Sequence, residues 1–454
     1  AALGVQLAGG AVVPLNTRFK RDEAAWILRR AGATHAFVAR GFLGVDYAGW
    51  LREARAELPS LRRVVGLDGP SDDAATALAG FGAGLDVEPA RARAAELTGD
   101  DLSDIIFTSG TTGRPKGVLC THAQTLRVFD TWAEVVGLRS DDRYLIVPPF
   151  FHTFGYKAGW VACLLRGATI VPLPVFDVEA AARVVSEQAI SVMPGPPSLY
   201  QMLLTHPNRA NWKLGSLRLA VTGAAVVPVE LVQAMWSELG FETVLTAYGL
   251  TETTGVVTMC RRHDSAATIA NTSGRAIPGV EVRVVDDAGH DVPVGTPGEV
   301  WVRGYNVMSG YFDDAEATAE CITADGWLRT GDVAVADGEG NVTITDRKKD
   351  MFIVGGFNAY PAEIEGLIGG HTAVAASAVV GVPDERLGEV GAAFVVLKPG
   401  AAITASELVA WCRDAMANYK APRHIWLVPE LPRNASGKVL KFELRAEAQR
   451  RIAG

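Results

Sequence analysis

The sequence predicts an α/β protein. It has a large N-terminal region of helix-covered, mostly parallel sheets, a small β subdomain and a C-terminal α+β domain. Three observations support this prediction. Strand-like apolar runs alternate with alanine-rich helical segments up to about residue 260. From about residue 275, apolar and polar residues alternate by twos between Gly/Asp turns, as in antiparallel strands. Beyond a charged patch at 346–350, helical and strand patterns resume in a compact third region.

The individual elements follow from short runs of suitable residues. Strands of the first region are predicted at 12–14, 36–39, 61–67, 169–172, 191–193 and 217–222, and helices at 21–31, 49–57, 178–188 and 228–239. The β subdomain is expected to contain strands at 280–285, 298–303 and 340–345. The last region is expected to contain strands at 378–382 and 391–397 and a helix at 405–417.

Composition excludes several classes of protein. The chain has 454 residues, of which 48% are apolar and 21% charged, so a globular protein of two or three domains is expected. Its net charge of -8 argues against a general nucleic-acid binder. Five scattered cysteines without a CxxC pair indicate reduced thiols, without a disulfide framework or zinc site. No apolar run reaches membrane-spanning length, and we expect a cytoplasmic protein with small-molecule partners.

The segment TSGTTGRPKG, from Thr108 to Gly117, is the most informative part of the chain. Its glycines allow close backbone approach to a ligand, and successive amides can form an anion nest to which hydroxyls and cations contribute. The segment follows an apolar strand end at 105–107, where α/β sheets bind ligands. It is not a Walker A loop, because Pro115 stands where that pattern requires glycine. A flexible surface linker is the alternative, although linkers rarely follow a buried strand.

Further motifs follow in order: YGLTET at 248–253, GWLRTGD at 326–332, DRKKDMFIVGGFN at 346–358, YPAEIE at 360–365 and PRNASGK at 432–438. With the 108–117 segment, this set resembles the adenylate-forming superfamily of acyl-CoA synthetases, luciferases and peptide-synthetase adenylation domains. Within it, the chain is most similar to actinobacterial fatty-acid–CoA ligase-like enzymes. The resemblance covers nearly the whole chain, in the family's order and approximate spacing.

The resemblance implies domain boundaries and a mobile lid. Residues 1–346 would form the adenylation domain, with the β subdomain at about 275–346, and residues 347–350 the hinge. Residues 351–454 would form the C-terminal lid, and the family's first several dozen residues are expected to be missing from this sequence. The resemblance also allows a homodimer.

The implied reaction is attack of a carboxylate on the α-phosphate of ATP, followed by displacement of AMP by coenzyme A. By resemblance, Glu252 would hold Mg²⁺ as a hard oxygen ligand, and Thr251 would bond the α-phosphate. The residues implied to hold the rest of ATP are Thr108, Ser109, Gly110, Thr111, Thr112, Gly113 and Lys116 at the phosphates, Gly223, Ala224, Tyr248 and Gly249 at adenine, and Asp332 and Arg347 at ribose. Without the family, Glu252 reads as a surface carboxylate and Tyr248 as a core tyrosine.

Two lysines are implied to act in turn. Lys438 would enter the site from the lid and bridge the carboxylate and the α-phosphate, although a loop lysine is normally inert and solvent-exposed. Lys349 would be the hinge about which the lid turns. That rotation would bring Gly355, Gly356 and Phe357 to the coenzyme A channel, where paired glycines allow close approach of a pantetheine arm. A tight β-turn is the alternative for the glycines.

The segment PPFFHTFGYKAGW, at 148–160, matches the family's acyl site. The implied pocket residues are His152, Phe154, Gly155, Lys157, Gly223 and Ala225, with a gating or orienting role for His152 rather than a purely structural one. Lys157 has two interpretations: its ammonium snorkels to solvent, or it meets a polar group of the acid. The second suits ring ketones, because the segment also resembles ligases of steroid-derived propanoates. A medium- or long-chain fatty acid is the alternative substrate.

The same residues also bear on alternative functions. A peptide-synthetase adenylation domain needs an acidic residue for the substrate's amino group, and residues 150–153 offer none. A fatty acyl-AMP ligase that loads a carrier protein, and a luciferase-like oxygenase, remain alternatives. The presence of Glu252, Asp332 and Lys438 disfavours a nucleotide-binding regulator, since a regulator needs no adenylation lysine.

Overall fold

The computed structural model describes residues 1–67, 84–108, 115–223, 227–347, 350–354, 357–384, 386–416, 418–433, 437 and 439–453, with the backbone alone at 346, 347, 357 and 358. The N-terminal elements are α1 (Ala2–Leu7), α2 (Arg21–Arg30), β1 (His35–Val38), α3 (Tyr47–Glu53) and β2 (Arg63–Gly66). Strands β1 and β2 are parallel, as the alternating pattern predicts. Helix α3 begins earlier than predicted because the Asp46 carboxylate accepts the Gly49 N–H as an N-cap.

The large central region contains α4 (Glu88–Glu96), β3 (Leu102–Thr108), β4 (Lys116–Thr121), α5 (His122–Val136), β5 (Arg143–Ile146), α6 (Thr153–Gly155), a π-helical turn (Tyr156–Val161), α7 (Ala162–Arg166), β6 (Thr169–Pro172), α8 (Val178–Gln188), α9 (Pro197–Thr205), β7 (Leu219–Thr222), α10 (Val229–Ser237), β8 (Thr243–Tyr248), β9 (Thr258–Met259), α11 (Ala266–Asn271) and β10 (Arg275–Ala276). Strand β5 pairs with β6, and β7 with β8, in parallel. Val192 bridges β5 to β7 in parallel, so the predicted strand at 191–193 is reduced to this one residue. Beyond β8 the sheet continues antiparallel into β9 and β10.

The segment at 108–117, called the predicted phosphate loop below, joins two antiparallel strands. Thr108 at the end of β3 is paired with Lys116 at the start of β4, and β4 pairs on its other edge with β13 (Gly310–Tyr311). The segment is therefore a hairpin connection. Its position after a buried strand agrees with the sequence, but the neighbouring strand is antiparallel rather than parallel. The predicted strand at 12–14 contributes one parallel bridge from Val12 to Asp104 of β3.

The period-two segments form an antiparallel sheet in the order β11 (Val280–Val285), β12 (Gly298–Gly304), β14 (Leu328–Ala336) and β15 (Val342–Arg347), with α12 at Ala315–Cys321. The C-terminal elements are β16 (Phe352–Val354), β17 (Phe357–Ala359), α13 (Pro361–Gly369), β18 (Val374–Asp384), β19 (Gly388–Leu397), α14 (Ala405–Ala415), β20 (His424–Leu427) and α15 (Lys441–Ala453). One large core surrounds Trp132, Tyr144 and Tyr200, and a second core, around Phe352 and Phe394, lies within residues 352–448.

The core beneath the acyl-site segment contains a charged pair. The Lys157 Nζ lies 2.9 Å from the Asp104 Oδ1, and both side chains are completely buried. The contact is an ion pair rather than a well-aligned hydrogen bond, while Ser103 donates to the other carboxylate oxygen over 2.7 Å. Although desolvation disfavours the ammonium, the attraction of Asp104 outweighs it and raises the pKa of Lys157. The snorkelling interpretation of Lys157 is therefore wrong: its charge is neutralised inside the protein, not in solvent.

We predict that Lys157→Met lowers the stability by about 3–5 kcal/mol, because it leaves the Asp104 carboxylate buried and unpaired. The double variant Lys157→Met/Asp104→Leu should recover most of that loss. Thermal denaturation of the wild type, the single variant and the double variant measures the loss of stability and its recovery. Arg91→Met is the control, since Arg91 binds Glu88 at 2.8 Å but both side chains are exposed, and it should cost less than about 1 kcal/mol. Equal midpoints for Lys157→Met and the wild type would contradict the prediction.

Candidate active site

Gly223 and Tyr248, two of the residues predicted to surround adenine, follow or end adjacent strands of the parallel sheet. Gly223 follows β7 directly, and Tyr248 is the last residue of the adjacent strand β8. A Cβ on Gly223 would lie 3.3 Å from the Ala247 carbonyl oxygen, and the Gly223 φ of 155° disfavours other residues. The absence of a side chain at Gly223 therefore leaves the space beside the end of β8 open.

Tyr248, predicted to contact adenine, and Asp332, predicted to contact ribose, are hydrogen-bonded to each other. The Tyr248 hydroxyl donates to the Asp332 Oδ2 over 2.7 Å, across two different sheets. Asp332 is 3% exposed and lies opposite Arg347 in the register of β14 and β15. The bond fixes the tilt of the Tyr248 ring.

A tight loop after β8 carries Thr251 and Glu252 on a 3₁₀ turn, Thr251–Thr253. Its two ends touch, because a Cβ on Gly249 would lie 2.2 Å from the Gly255 carbonyl oxygen. The Thr253 hydroxyl accepts the Leu250 N–H, which caps the turn. Gly255 has a φ of 116°, and a Cβ there would approach the Thr153 Cβ to 3.1 Å. The predicted nucleotide loop is thus in contact with the predicted acyl segment at the first residue of α6.

The predicted metal ligand has a protein partner that the sequence analysis missed. The Tyr311 hydroxyl donates to the Glu252 Oε1 over 3.0 Å, and the Lys116 Nζ lies 5.0 Å from the centre of the Tyr311 ring. Burial, with the adjacent Glu252 charge, raises the pKa of Tyr311, so its hydroxyl remains a neutral donor. Tyr311 is 59 residues from Glu252 in sequence, and only the pairing of β13 with β4 brings it here. No local pattern could have revealed it.

Glu252 suits magnesium in its chemistry. Mg²⁺ binds through one or two carboxylates together with substrate phosphates and water, rather than in a protein cage. Among the described residues, no group of three or more His, Cys, Asp or Glu side chains could hold a metal ion. Glu252 is partly buried, and within the described ranges its Oε2 has no hydrogen-bond partner. A single carboxylate beside a phosphate loop matches the donor set that Mg²⁺ requires with ATP.

The acyl segment is held locally by a hydrogen bond between a backbone N–H and a side chain of the same segment. The His152 Nδ1 accepts the Phe154 N–H at 3.2 Å and so caps α6. His152 is exposed, yet the protein around its ring lowers the pKa of His152 by desolvation. A neutral ring can accept this bond at pH 7. Gly155 is required sterically, because a Cβ there would lie 2.2 Å from the Pro148 carbonyl oxygen.

Lys157 and Tyr156 already have protein partners beneath this segment. Lys157 pairs with Asp104, and the Tyr156 hydroxyl accepts a hydrogen bond from the Gln6 side chain at 3.0 Å. The π-helical turn that contains both residues makes these inward contacts possible, and such turns are frequent at functional sites. Phe154 is partly buried and packs at the edge of the large core.

Several predicted residues lie outside the described ranges. These are Ser109, Gly110, Thr111, Thr112 and Gly113 of the phosphate loop, Ala224 and Ala225 after β7, Lys349, Gly355 and Gly356, and Lys438. Phe357 and Arg347 are described in their backbone alone. Thr108 and Lys116 flank the phosphate loop, and the Thr108 hydroxyl donates to the Lys116 carbonyl over 3.4 Å. In the ranges that the structure covers, no helix is both long and apolar enough to cross a bilayer.

Known proteins match this chain along nearly its full length. Residues 1–312 match the AMP-binding enzyme family, and residues 363–438 match the AMP-binding enzyme C-terminal domain. Two curated relatives are named 3-[(3aS,4S,7aS)-7a-methyl-1,5-dioxo-octahydro-1H-inden-4-yl]propanoyl:CoA ligase. The one from Mycobacterium tuberculosis is 53% identical, with 98% of this chain and 85% of the relative covered. The one from Rhodococcus jostii is 51% identical, with 98% and 86% covered.

The solved structures agree with the curated relatives. The crystal structure of ATP-bound MatB from Rhodopseudomonas palustris superposes with a TM-score of 0.83 at 29% identity, covering 98% of this chain and 85% of that one. MatB and this protein share a large α/β region and a C-terminal domain, as the sequence predicted. The chain therefore belongs to the AMP-binding enzyme family, and it is an AMP-forming acyl-CoA ligase.

Proposed function

We propose that this enzyme activates a bicyclic propanoate that carries ring ketones, as formed in steroid breakdown, and transfers it to coenzyme A. The observation that carries the proposal is identity above one half, over 98% of the chain, with two ligases named for such an indanedione propanoate. The structure agrees with an apolar ring system as substrate, since Lys157, the only lysine of the acyl segment, is buried against Asp104 and presents no free ammonium.

The first half-reaction joins two anions. A carboxylate oxygen of the acid attacks the α-phosphorus of ATP, the bond to the β-phosphate oxygen breaks, and pyrophosphate leaves. The acid is already ionised at neutral pH, so His152 is not needed as a base and serves to shape the cleft. Lys116 and the 108–117 amides would hold the pyrophosphate, and Thr251 would donate to the α-phosphate. Mg²⁺ held by Glu252 would supply positive charge at the phosphates.

The nucleoside contacts fix the angle of attack. Tyr248 would stack on adenine while Asp332, which accepts the Tyr248 hydroxyl, would accept ribose hydroxyls with Arg347 beside it. In the second half-reaction the coenzyme A thiolate attacks the acyl carbon and AMP leaves. We propose that the lid, residues 351–454, turns about Lys349 between the two steps. Lys438 would then withdraw, and residues 355–357 would approach the pantetheine arm.

The acid preference is the first test. With ATP, Mg²⁺ and coenzyme A, the indanedione propanoate should give thioester with a kcat/KM on the order of 10²-fold higher than that of decanoate. The flexible chain of decanoate cannot make the contacts that the rings make. Mass spectrometry of the thioester and pyrophosphate release measure the two half-reactions. A preference for decanoate would contradict the proposed acid. Acyl-AMP without thioester, and transfer to a carrier protein, would instead identify an acyl-AMP ligase.

The role of Lys438 is tested by separating the half-reactions. Lys438→Ala should slow acyl-AMP formation by roughly 10²–10³, the loss expected for one transition-state donor. Thioester formation from supplied acyl-AMP should be much less affected. The exposed Lys398 provides a matched control, and Lys398→Ala should leave both rates unchanged. Wild-type adenylation in Lys438→Ala would remove this residue from the mechanism.

The hinge is tested by restricting one backbone angle. Lys349→Pro fixes φ near −65° and should therefore impair thioester formation more than adenylation. Lys349→Ala retains the rotation and should leave both steps close to wild type. Single-turnover acyl-AMP formation and thioester formation are measured for each protein. An equal loss of both steps in Lys349→Pro would count against lid rotation about this residue.

A further inference from the structure

We infer that Thr254 and Asn306 are positioning residues that set the orientation of Glu252 and Thr251, an inference that rests on the proposed nucleotide role of that loop. Thr254 has a φ of 57° and a ψ of 2°, in the left-handed region that β-branched residues rarely adopt. It is 0% exposed. Strained conformations of this kind persist only where surrounding contacts enforce them, and they concentrate at functional sites.

Two hydrogen bonds that hold the conformation come from segment 306–311, and the Cys120 Sγ also lies 3.8 Å from the Thr254 Oγ1. The Thr254 hydroxyl donates to the Asn306 carbonyl oxygen over 2.8 Å, and the Asn306 Nδ2 donates to the Val256 carbonyl oxygen over 2.8 Å. Asn306 is itself 0% exposed. The two bonds run in opposite directions between the segment and the loop, so they fix the loop's distance and its rotation.

The same segment also holds Glu252 directly. The Met308 N–H donates to the Glu252 carbonyl oxygen at 2.9 Å, and the Tyr311 hydroxyl donates to the Glu252 Oε1. The Thr254 N–H donates back to the Thr251 carbonyl oxygen at 2.9 Å. Thr254 therefore closes the turn that contains Thr251 and Glu252. Segment 306–311 holds this turn through hydrogen bonds at Glu252, Thr254 and Val256. Without the Thr254 hydroxyl, relaxation of φ would rotate Glu252 away from Tyr311.

The test compares Thr254→Val, which keeps the shape and removes the hydroxyl, with Thr254→Ser, which keeps the hydroxyl. Calorimetric binding of Mg²⁺ and ATP without acid, and the Mg²⁺ dependence of adenylation, are measured. Thr254→Val should bind MgATP at least about tenfold more weakly, the effect of losing one oriented ligand set, while Thr254→Ser should stay within about twofold. Asn306→Ala should weaken MgATP binding in the same direction, which covers the case that Thr254→Val does not fold.

Thr246→Val is the matched control for burial. Thr246 is 5% exposed, and its hydroxyl donates to the Ile269 carbonyl oxygen at 2.9 Å, away from the loop. It should lower the melting temperature without changing MgATP affinity. Equal changes in MgATP affinity for Thr246→Val and Thr254→Val at similar loss of stability would overturn the inference, since a purely structural role predicts that result.

A double-variant cycle with Glu252→Gln separates this inference from the proposed function. If Thr254 acts through Glu252, Thr254→Val should add little to the binding defect of Glu252→Gln. Additive defects would overturn the positioning role and leave Glu252 as a ligand. Wild-type MgATP binding in Glu252→Gln would instead refute the proposed metal role. A defect in Glu252→Gln with none in Thr254→Val or Asn306→Ala would refute the positioning role alone.

Discussion

The hydrogen bond from Tyr248 to Asp332 joins the two sheets on which the site is built. Tyr248 ends a strand of the parallel sheet, and Asp332 lies in the antiparallel sheet formed much later in the chain. A carboxylate that is 3% exposed requires partners, and a phenol that projects from a strand end requires one fixed direction. Each residue satisfies the other's requirement. The side chains that we propose to contact adenine and ribose, which come from different sheets, are therefore held at a fixed separation by this hydrogen bond.

Charge is placed unevenly around this bond. On the nucleotide side, Lys116, Tyr311 and Glu252 lie close together, and the neutral phenol between the two charged residues keeps the carboxylate oriented. On the acyl side, the lysine charge is cancelled by Asp104 within the core. In the proposed function, ATP would meet Lys116 and Glu252, whereas the acid would meet no free ammonium of the acyl segment, because Lys157 is buried against Asp104. This division fits a ligase whose acid carries a single charge, the carboxylate that reacts.

The sequence predicted the fold class and most of the elements, because periodic apolar patterns and glycine-rich turns are local signals. Helix α8 and strand β11 have the predicted bounds. The parts that were missed depend on contacts between residues far apart in the sequence. The interpretation of Lys157 failed because its partner, Asp104, is 53 positions earlier on β3. Tyr311 reaches Glu252 only through strand pairing. The motifs located Tyr248, Glu252 and Asp332 near one another, but no spacing in the chain encodes the bond between Tyr248 and Asp332 or the backbone twist at Thr254.

The backbone of Gly255 packs against the side chains of Thr153 and Phe129, so the loop that carries Thr251 and Glu252 shares a close contact with the predicted acyl segment. A larger side chain at position 153 would therefore displace the loop that carries Thr251 and Glu252. Under the proposed roles, a substitution here that changed the acid preference would also change the affinity for ATP.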